Sequence, residues 1–242
     1  MNRRDSADLA GCTGLGALAA FGVLAVVVIG GDGTMLFTDE NVHSWPLTHR
    51  PVVAVALARG LTATGTGVVP YLLAVLAGLV AGRTIRGRLF GVAFCVACLG
   101  TGQAARYGVM QVVARPRPPR SEWATHASGW SFPSGHATTA TLTAGLLVVA
   151  VLVRGPSGRT LLALAACCWG ALVGLTRVYL GVHWFTDVLG GWLFGVGWLG
   201  LCLAAAARGA PEQLIADTGD TTKEEEDHAP PHPGRRGRSR PA

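Results

Sequence analysis

Three short clusters of chemically active residues occur in order between residues 115 and 187, each at the end of a long apolar segment. They are Arg115-Pro-Arg117-Pro, then Pro133-Ser134-Gly135-His136, then Arg177-(five residues)-His183-(three residues)-Asp187. Arginine binds phosphate oxygens through paired hydrogen bonds, and an imidazole can serve as nucleophile or as proton donor. These residue types predict hydrolysis of a phosphate ester without a metal ion.

The third cluster contains the candidate nucleophile. His183 and Asp187 are four residues apart, which places them on one face of a helix. A carboxylate there can bind one imidazole nitrogen, fix the tautomer and leave the other nitrogen free to attack. Arg177 ends an apolar segment, and a cation beside a bilayer indicates function by default. The alternatives are a structural His–Asp pair and an arginine that snorkels to the headgroups.

The second cluster has the features of an anion-binding helix start. Ser134 is a favoured N-cap residue, and the apolar run begins directly after His136. The first turn of a helix presents free N–H groups and a positive dipole end. Gly135 lets the backbone approach a phosphate, and His136 is placed to protonate a leaving oxygen. An ordinary capped helix with an interfacial histidine is the alternative.

The first cluster is an extended loop in which prolines alternate with arginines that can bind phosphate. Arginine- and proline-rich loops also occur at membrane surfaces without such a role. A serine hydrolase would use similar residue types, but Ser134 is not in a Gly-x-Ser-x-Gly turn and the arginines would be unexplained. A carboxylate-rich metal phosphatase is not expected, because Asp187 is the only acidic residue within or next to the second to sixth apolar segments.

The composition indicates a membrane protein that positions these clusters with helices. The chain of 242 residues is 50% hydrophobic and 14% charged, whereas a soluble domain carries about 25% charged residues. Six apolar segments approach the ~20 residues needed to cross a bilayer, and lipid requires them to be helical. They cover residues 9–30, 66–82, 88–110, 136–153, 160–179 and 185–206. We therefore predict an all-α polytopic protein with six transmembrane helices and a helical-bundle core.

Several smaller features complete this prediction. A signal peptide is the alternative for residues 9–30, but its apolar region would be about 7–15 residues and no convincing cleavage site follows Gly30. Residues 51–63 are shorter and mixed, and we interpret them as an interfacial helix. The pair Cys95 and Cys98 lies among apolar neighbours, which predicts buried small hydrophobic side chains rather than a redox or metal site. The glycines of the last segment predict close helix packing.

The placement of arginine predicts the orientation in the membrane. With six crossings and the N-terminus inside, the inner segments hold Arg3, Arg4, Arg83, Arg86, Arg88, Arg154, Arg159 and Arg208, and the outer segments hold Arg50, Arg59, Arg115, Arg117 and Arg120. Two of the outer arginines belong to the candidate site, so the remaining bias favours both termini inside. All three clusters would then face outward.

The predicted division of the chain has three parts. Residues 1–8 form a cytoplasmic N-terminus, residues 9–207 form the six-span membrane domain, and residues 208–242 form a disordered cytoplasmic tail. The net charge of +6 comes almost entirely from arginine. No basic helix with interleaved aromatic residues accompanies it, so a nucleic-acid partner is not expected.

The ordered motifs closely resemble those of the type 2 phosphatidic acid phosphatase superfamily, a family that includes membrane lipid phosphatases and undecaprenyl-pyrophosphate phosphatases. The resemblance implies that His183 is the nucleophile that forms a phosphohistidine, that Asp187 orients it and that His136 is the general acid. It also implies phosphate binding and requires no metal or other cofactor. The implied phosphate-binding residues are Arg117, Ser134, Gly135 and Arg177.

This chain departs from the family pattern at one cation. The first family motif usually begins with lysine seven residues before the second arginine of the loop, and that position is Met110. Loss of one charge-assisted hydrogen bond costs about 1.5–3 kcal/mol. Arg106 lies one helical turn earlier and is a candidate replacement. Thr176, where the family often has serine, is a milder change.

From these features we expect a lipid phosphatase at the outer face of the cell membrane. Its substrate would be a phosphomonoester or diphosphate of a membrane lipid, such as a phosphatidate-like lipid or a polyprenyl diphosphate. A lipid phosphotransferase is the alternative among enzymes. A catalytically silent protein that binds lipid phosphate is the alternative outside them, suggested by Met110. A vanadate-dependent peroxidase is disfavoured, because those proteins are soluble.

Overall fold

The computed structural model describes residues 3–31 and 35–209, and within these ranges the protein contains eight α-helices and no strand. The helices are α1 (Arg3–Gly30), α2 (Phe37–Thr48), α3 (Val52–Ala63), α4 (Val68–Ala81), α5 (Ile85–Val113), α6 (Gly135–Arg154), α7 (Arg159–Tyr179) and α8 (Phe185–Gly209). A short 3₁₀ helix covers Arg120–Glu122 in the loop between α5 and α6. The predicted all-helical membrane fold is confirmed.

Five helices are long and apolar enough to cross a membrane by themselves: α1, α5, α6, α7 and α8. The prediction of a complete crossing over residues 66–82 needs correction, because α4 has only 14 residues. It meets the length requirement only together with α3, to which it is joined by a bend of 52°. Gly67, with φ of +67°, lies in this bend and allows a conformation that other residues rarely adopt.

The helices alternate in direction, so that alternate loops meet at one end of the bundle. The start of α1 packs against the last turns of α8, where Asp8 and Arg208 form an ion pair of 2.8 Å. The beginnings of α6 and α8 and the ends of α5 and α7 therefore lie at the opposite end. All three motif clusters are located there.

Glycines allow α8 to approach its neighbours closely, as predicted. A Cβ atom on Gly200 would lie 2.6 Å from the Cα of Gly14 in α1. On Gly191 it would lie 2.7 Å from the Cβ of Ala137 in α6. Such distances are too short for any real side chain, so the positions of α1 and α6 against α8 depend on these glycines. The second contact fixes the start of α6 beside the start of α8.

The remaining sequence predictions concern the cysteines and the termini. Cys95 and Cys98 are buried in an apolar cluster with Leu99 and Leu142, which confirms their role as small hydrophobic side chains. Residues 3–8 form the first turns of α1. The tail predicted for residues 208–242 lies outside the described residues, apart from 208 and 209, which end α8.

Candidate active site

The three clusters meet around a cavity of about 690 Å³ at one end of the helix bundle. The predicted residues that line it are Arg117, Gly135, His136, Arg177 and His183. Two other predicted residues, Ser134 and Asp187, are fully buried and lie behind the cavity wall. The cavity is completed by Thr66 and Gly67 in the bend between α3 and α4, by Tyr71 in α4, and by Arg106, Tyr107 and Met110 in α5.

A tight turn between α7 and α8 presents His183. Gly181 has φ of +72°, and a Cβ atom there would lie 2.4 Å from the carbonyl oxygen of Glu122. Only glycine fits this position, so the tight turn between Arg177 and His183 depends on Gly181. The turn places His183 two residues before Phe185, the first residue of α8, and against the cavity.

Asp187 holds the imidazole of His183 from behind. The distance from His183 Nδ1 to Asp187 Oδ2 is 3.3 Å. The same carboxylate accepts hydrogen bonds from the Trp184 backbone N–H at 2.9 Å, from the Ser131 hydroxyl and from Arg115 Nη1 at 2.7 Å. These donors stabilise a charged carboxylate in a site that water does not reach. The arrangement fits the predicted orienting role of Asp187.

Arg117 contacts the other imidazole nitrogen and uses all its donors within the protein. A guanidinium has five N–H donors, and each of them is directed at a protein acceptor. The acceptors are Gly129 O at 2.9 Å, Val182 O at 2.7 Å, His183 Nε2 at 2.8 Å, Ser128 O at 2.8 Å and Trp130 O at 3.0 Å. Donation to His183 Nε2 requires a lone pair on that nitrogen. Both neighbours of the imidazole therefore select the tautomer with the proton on Nδ1.

The surroundings of His183 keep its ring neutral. Burial lowers the pKa of His183 to about 4, and the nearby charge of Arg117 acts in the same direction. The hydrogen bond to Asp187 opposes this effect but is weaker. A neutral ring whose lone pair is directed at the cavity is the state that a nucleophilic imidazole needs.

Arg115 has a different role from Arg117, although both belong to the same loop motif. Its side chain is 1% exposed and lies between two buried carboxylates. Nη1 is 2.7 Å from Asp187 Oδ1, and Nη2 is 2.8 Å from Asp39 Oδ2. The suggestion that the arginines of this loop bind phosphate is therefore wrong for Arg115, which is occupied by carboxylates.

Asp39, in the first turn of α2, was not identified from the sequence. Its side chain is fully buried and accepts hydrogen bonds from the backbone and hydroxyl of Thr186, the residue before Asp187. It thereby joins α2 to the start of α8. No local motif marks it, and its only sequence signal is an acidic residue shortly after the first apolar segment.

Arg177 also lines the cavity and keeps an N–H donor that has no partner in the protein. It is 2% exposed, and its Nη1 donates to the hydroxyl of Thr62 in α3 at 3.1 Å. Its Nε is buried without a partner. The bend between α3 and α4 thus positions a cation of the third cluster, which the interpretation of residues 51–63 as an interfacial helix did not anticipate.

Ser134, Arg50 and Arg59 make hydrogen bonds within the protein that stabilise its structure. The Ser134 hydroxyl accepts from the Ala137 N–H at 3.5 Å, as predicted for an N-cap, and it does not line the cavity. Arg50 donates to the Glu122 carbonyl at 2.6 Å, and Arg59 donates to the Ala124 carbonyl at 2.7 Å. Both arginines hold the loop between α5 and α6 at the end of the bundle where the three clusters meet.

The charged side chains that line the cavity determine which kind of ligand it can bind. Within residues 3–31 and 35–209, no three His, Cys, Asp or Glu side chains are close enough to share a metal ion. Three arginines (Arg106, Arg117 and Arg177), three histidines (His126, His136 and His183) and the first turn of α6 surround a common space. This donor set is suited to an oxyanion such as phosphate.

Comparison with known proteins gives matches of the same kind. The model of the PAP2 superfamily matches residues 89–209. Phosphatidylglycerophosphatase B of Bacillus subtilis is 29% identical over 154 residues, which are 62% of this chain and 73% of the relative. Lipid A 1-phosphatase of Rhizobium etli is 41% identical over 80 residues, 33% of this chain and 30% of the relative. Undecaprenyl-diphosphatase of Sulfolobus acidocaldarius is 39% identical over 66 residues, 27% of this chain and 29% of the relative.

The fold is also that of a solved protein with the same helical architecture. The crystal structure of a transmembrane PAP2-type phosphatidylglycerolphosphate phosphatase from Bacillus subtilis superimposes with a TM-score of 0.62 and 26% identity. The superposition covers 83% of this chain and 96% of that protein. Family match and fold agree, and this multi-pass membrane protein belongs to the PAP2 superfamily.

Proposed function

We propose that this protein is a lipid phosphatase that hydrolyses a phosphomonoester or diphosphate of a membrane lipid through a phosphohistidine at His183. The observation that carries the proposal is the state of His183. Its Nδ1 is held by Asp187, its pKa is lowered to about 4, and its Nε2 faces a cavity of cations. That the chain is a phosphoric-ester hydrolase follows from its family and from the three relatives named above, each of which is named as a phosphatase.

The first chemical step transfers the phosphoryl group to His183. The Nε2 lone pair forms a bond to phosphorus while the bond from phosphorus to the leaving oxygen breaks. His136, in the first turn of α6, gives its proton to that oxygen. Arg117, Arg177 and the free N–H groups of α6, beginning at Gly135, stabilise the charge on the equatorial oxygens.

The second step regenerates the enzyme. Water attacks the phosphorus of the phosphohistidine, His136 accepts a proton from it, and the bond between nitrogen and phosphorus breaks. Inorganic phosphate leaves, and the electron pair returns to Nε2. Asp187 stabilises the imidazolium character that develops on His183 in both transition states.

The lipid character of the substrate is supported by the wall of the cavity. Tyr71, Tyr107, Met110 and Trp130 form its apolar side, and Tyr107 is 54% exposed on the surface of α5. A hydrophobic tail can therefore extend from the cavity towards the bilayer between α4 and α5. Location of the site at the outer face of the cell membrane is supported by the arginine bias of the opposite loops.

We expect purified protein in detergent to release phosphate from at least one lipid among phosphatidate, phosphatidylglycerophosphate and polyprenyl diphosphate. The donor set supports chemistry without a metal, so the rate should be unchanged by an excess of chelator. The measurement is colorimetric phosphate release across the three lipids with and without EDTA. Inactivity on every lipid would favour a silent binding protein, and strong inhibition by EDTA would refute the metal-free mechanism. Appearance of a new lipid phosphate when an alcohol is added would identify a phosphotransferase.

The lowered pKa of His183 predicts an activity that persists in mild acid. Protonation removes the nucleophilic lone pair only near pH 4, rather than near the ordinary 6.5, because burial disfavours the cation. The acid limb of kcat/KM should therefore lie well below pH 6. The profile is measured from pH 4 to 8 and corrected for the ionisation of the substrate, determined separately by ³¹P NMR. An acid limb that remains near pH 6.5 after this correction would contradict the prediction.

A further inference from the structure

Arg106 is a cation in the cavity with no negative partner. Among the ion pairs of residues 3–31 and 35–209, none includes Arg106. Its Nη1 contacts the sulfur of Met110 at 3.1 Å, a weak acceptor, and its Nε is buried without a partner. A partly desolvated guanidinium in this state is stabilised by an anion that enters the cavity.

The position of Arg106 assigns it to one side of the site. A Cβ atom built on Gly135 would lie 3.4 Å from Arg106 Cζ, so the guanidinium packs against the residue before His136. Arg117 instead lies 2.8 Å from His183 Nε2. Arg117 thus contacts the nucleophile, and Arg106 packs against the residue that precedes the proposed proton donor.

During in-line phosphoryl transfer, the side of the cavity near His183 and the side near His136 bind different parts of the substrate. The attacking and leaving atoms are on opposite sides of phosphorus. The transferred phosphoryl group therefore lies between Arg117 and Arg177 near His183, and the leaving group lies towards His136 and Arg106. An alcohol that takes a proton from His136 leaves as a neutral group and needs no additional cation. A phosphate that leaves carries its own charge.

We propose that Arg106 binds the leaving phosphate of a lipid diphosphate, and that the protein is selective for diphosphates over monophosphates. The inference rests on the proposed function. His183 attacks the terminal phosphorus, the bridging P–O bond breaks, and the bridging oxygen keeps the electron pair as part of a lipid monophosphate. The cavity of about 690 Å³ is large enough for both phosphoryl groups.

The test compares two substrates with the same tail, farnesyl diphosphate and farnesyl monophosphate. For Arg106→Gln we expect kcat/KM to fall at least tenfold on the diphosphate and less than threefold on the monophosphate. Arg106→Lys keeps the charge and should recover a part of the diphosphate activity. Arg159→Gln is the matched control, because Arg159 is exposed at the opposite end of the bundle and should leave both rates unchanged.

Equal losses on both substrates would overturn the proposal, since Arg106 would then act on the transferred group. Unchanged rates on both would overturn it as well. Binding to His183→Ala protein, measured by calorimetry, separates this inference from the hydrolase mechanism. Tighter binding of farnesyl diphosphate than of the monophosphate, lost when Arg106→Gln is added, supports the role of Arg106 even if the native protein hydrolyses neither lipid. Equal binding of the two lipids would overturn the assignment even in an active enzyme.

Discussion

Replacement of His183 by alanine should lower phosphate release by at least about 10⁴-fold, the scale on which removal of a nucleophile acts in other hydrolases. The loss is expected in kcat rather than in KM, because the cavity keeps its arginines and still binds the lipid phosphate. Native protein quenched during turnover with a ³²P-labelled lipid should retain label that is stable in base and labile in acid. His183→Ala protein should retain none.

His49→Ala is the matched control for this experiment. His49 is exposed next to the end of α2 and contacts Trp45 and Thr48 rather than the cavity. We expect its turnover and its phosphate labelling to equal those of the native chain. A His183→Ala protein that hydrolyses lipid at the native rate, or that still carries labelled phosphate, would exclude His183 as the nucleophile.

Arg115→Met is expected to have the largest effect on stability. The change removes the cation between Asp39 and Asp187, both fully buried, and leaves two carboxylates close together without water. Loss of one member of a buried ion pair costs about 3–5 kcal/mol. The loss of stability should appear as a lower midpoint of thermal unfolding in detergent. Any folded protein that remains should have a reduced kcat, because Asp187 loses a partner that fixes it behind His183.

Arg120→Met provides the comparison in the same loop. Arg120 is exposed, and its guanidinium lies over the ring of Trp123. Its removal should change stability by less than about 1 kcal/mol. Asp39→Asn combined with Arg115→Met should cost less than the sum of the two single changes, since Asp39→Asn removes a carboxylate that Arg115→Met leaves unpaired. Additive losses would contradict a coupled network.

The helices and the convergence of the clusters could be predicted from the sequence because they depend on local signals. Apolar runs of about 20 residues define α5 to α8 within a few residues, and helices of alternating direction bring the three clusters together at one end of the bundle. The helix α2 lacks such a signal, since it is short, mixed and contains Pro46. The short helix α3, with 12 residues, could be identified as a helix, but its bend towards α4 depends on packing.

The different roles of Arg115 and Arg117 could not be predicted from such local signals. Both are arginines followed by proline in one loop, and nothing local distinguishes a carboxylate partner from a phosphate partner. The difference arises from Asp39, which is 76 residues before Arg115 and comes into contact only in the folded bundle. The cavity position of Arg106 likewise depends on how α5 packs against the start of α6, although its place one turn before Met110 made it a candidate.

The complete engagement of Arg117 has a consequence for substrate affinity. All five N–H hydrogens of Arg117 already have acceptors in the protein. A phosphate oxygen can therefore accept a hydrogen bond from Arg117 only by replacing one of these protein acceptors. The exchange is nearly neutral in the ground state and becomes favourable as negative charge accumulates on the equatorial oxygens during transfer. When the oxygen replaces His183 Nε2 as the acceptor, it also frees the lone pair that attacks. In the enzyme without substrate, the lone pair of His183 Nε2 is therefore occupied by the hydrogen bond from Arg117. Binding of the phosphate breaks this hydrogen bond and makes the lone pair available for attack.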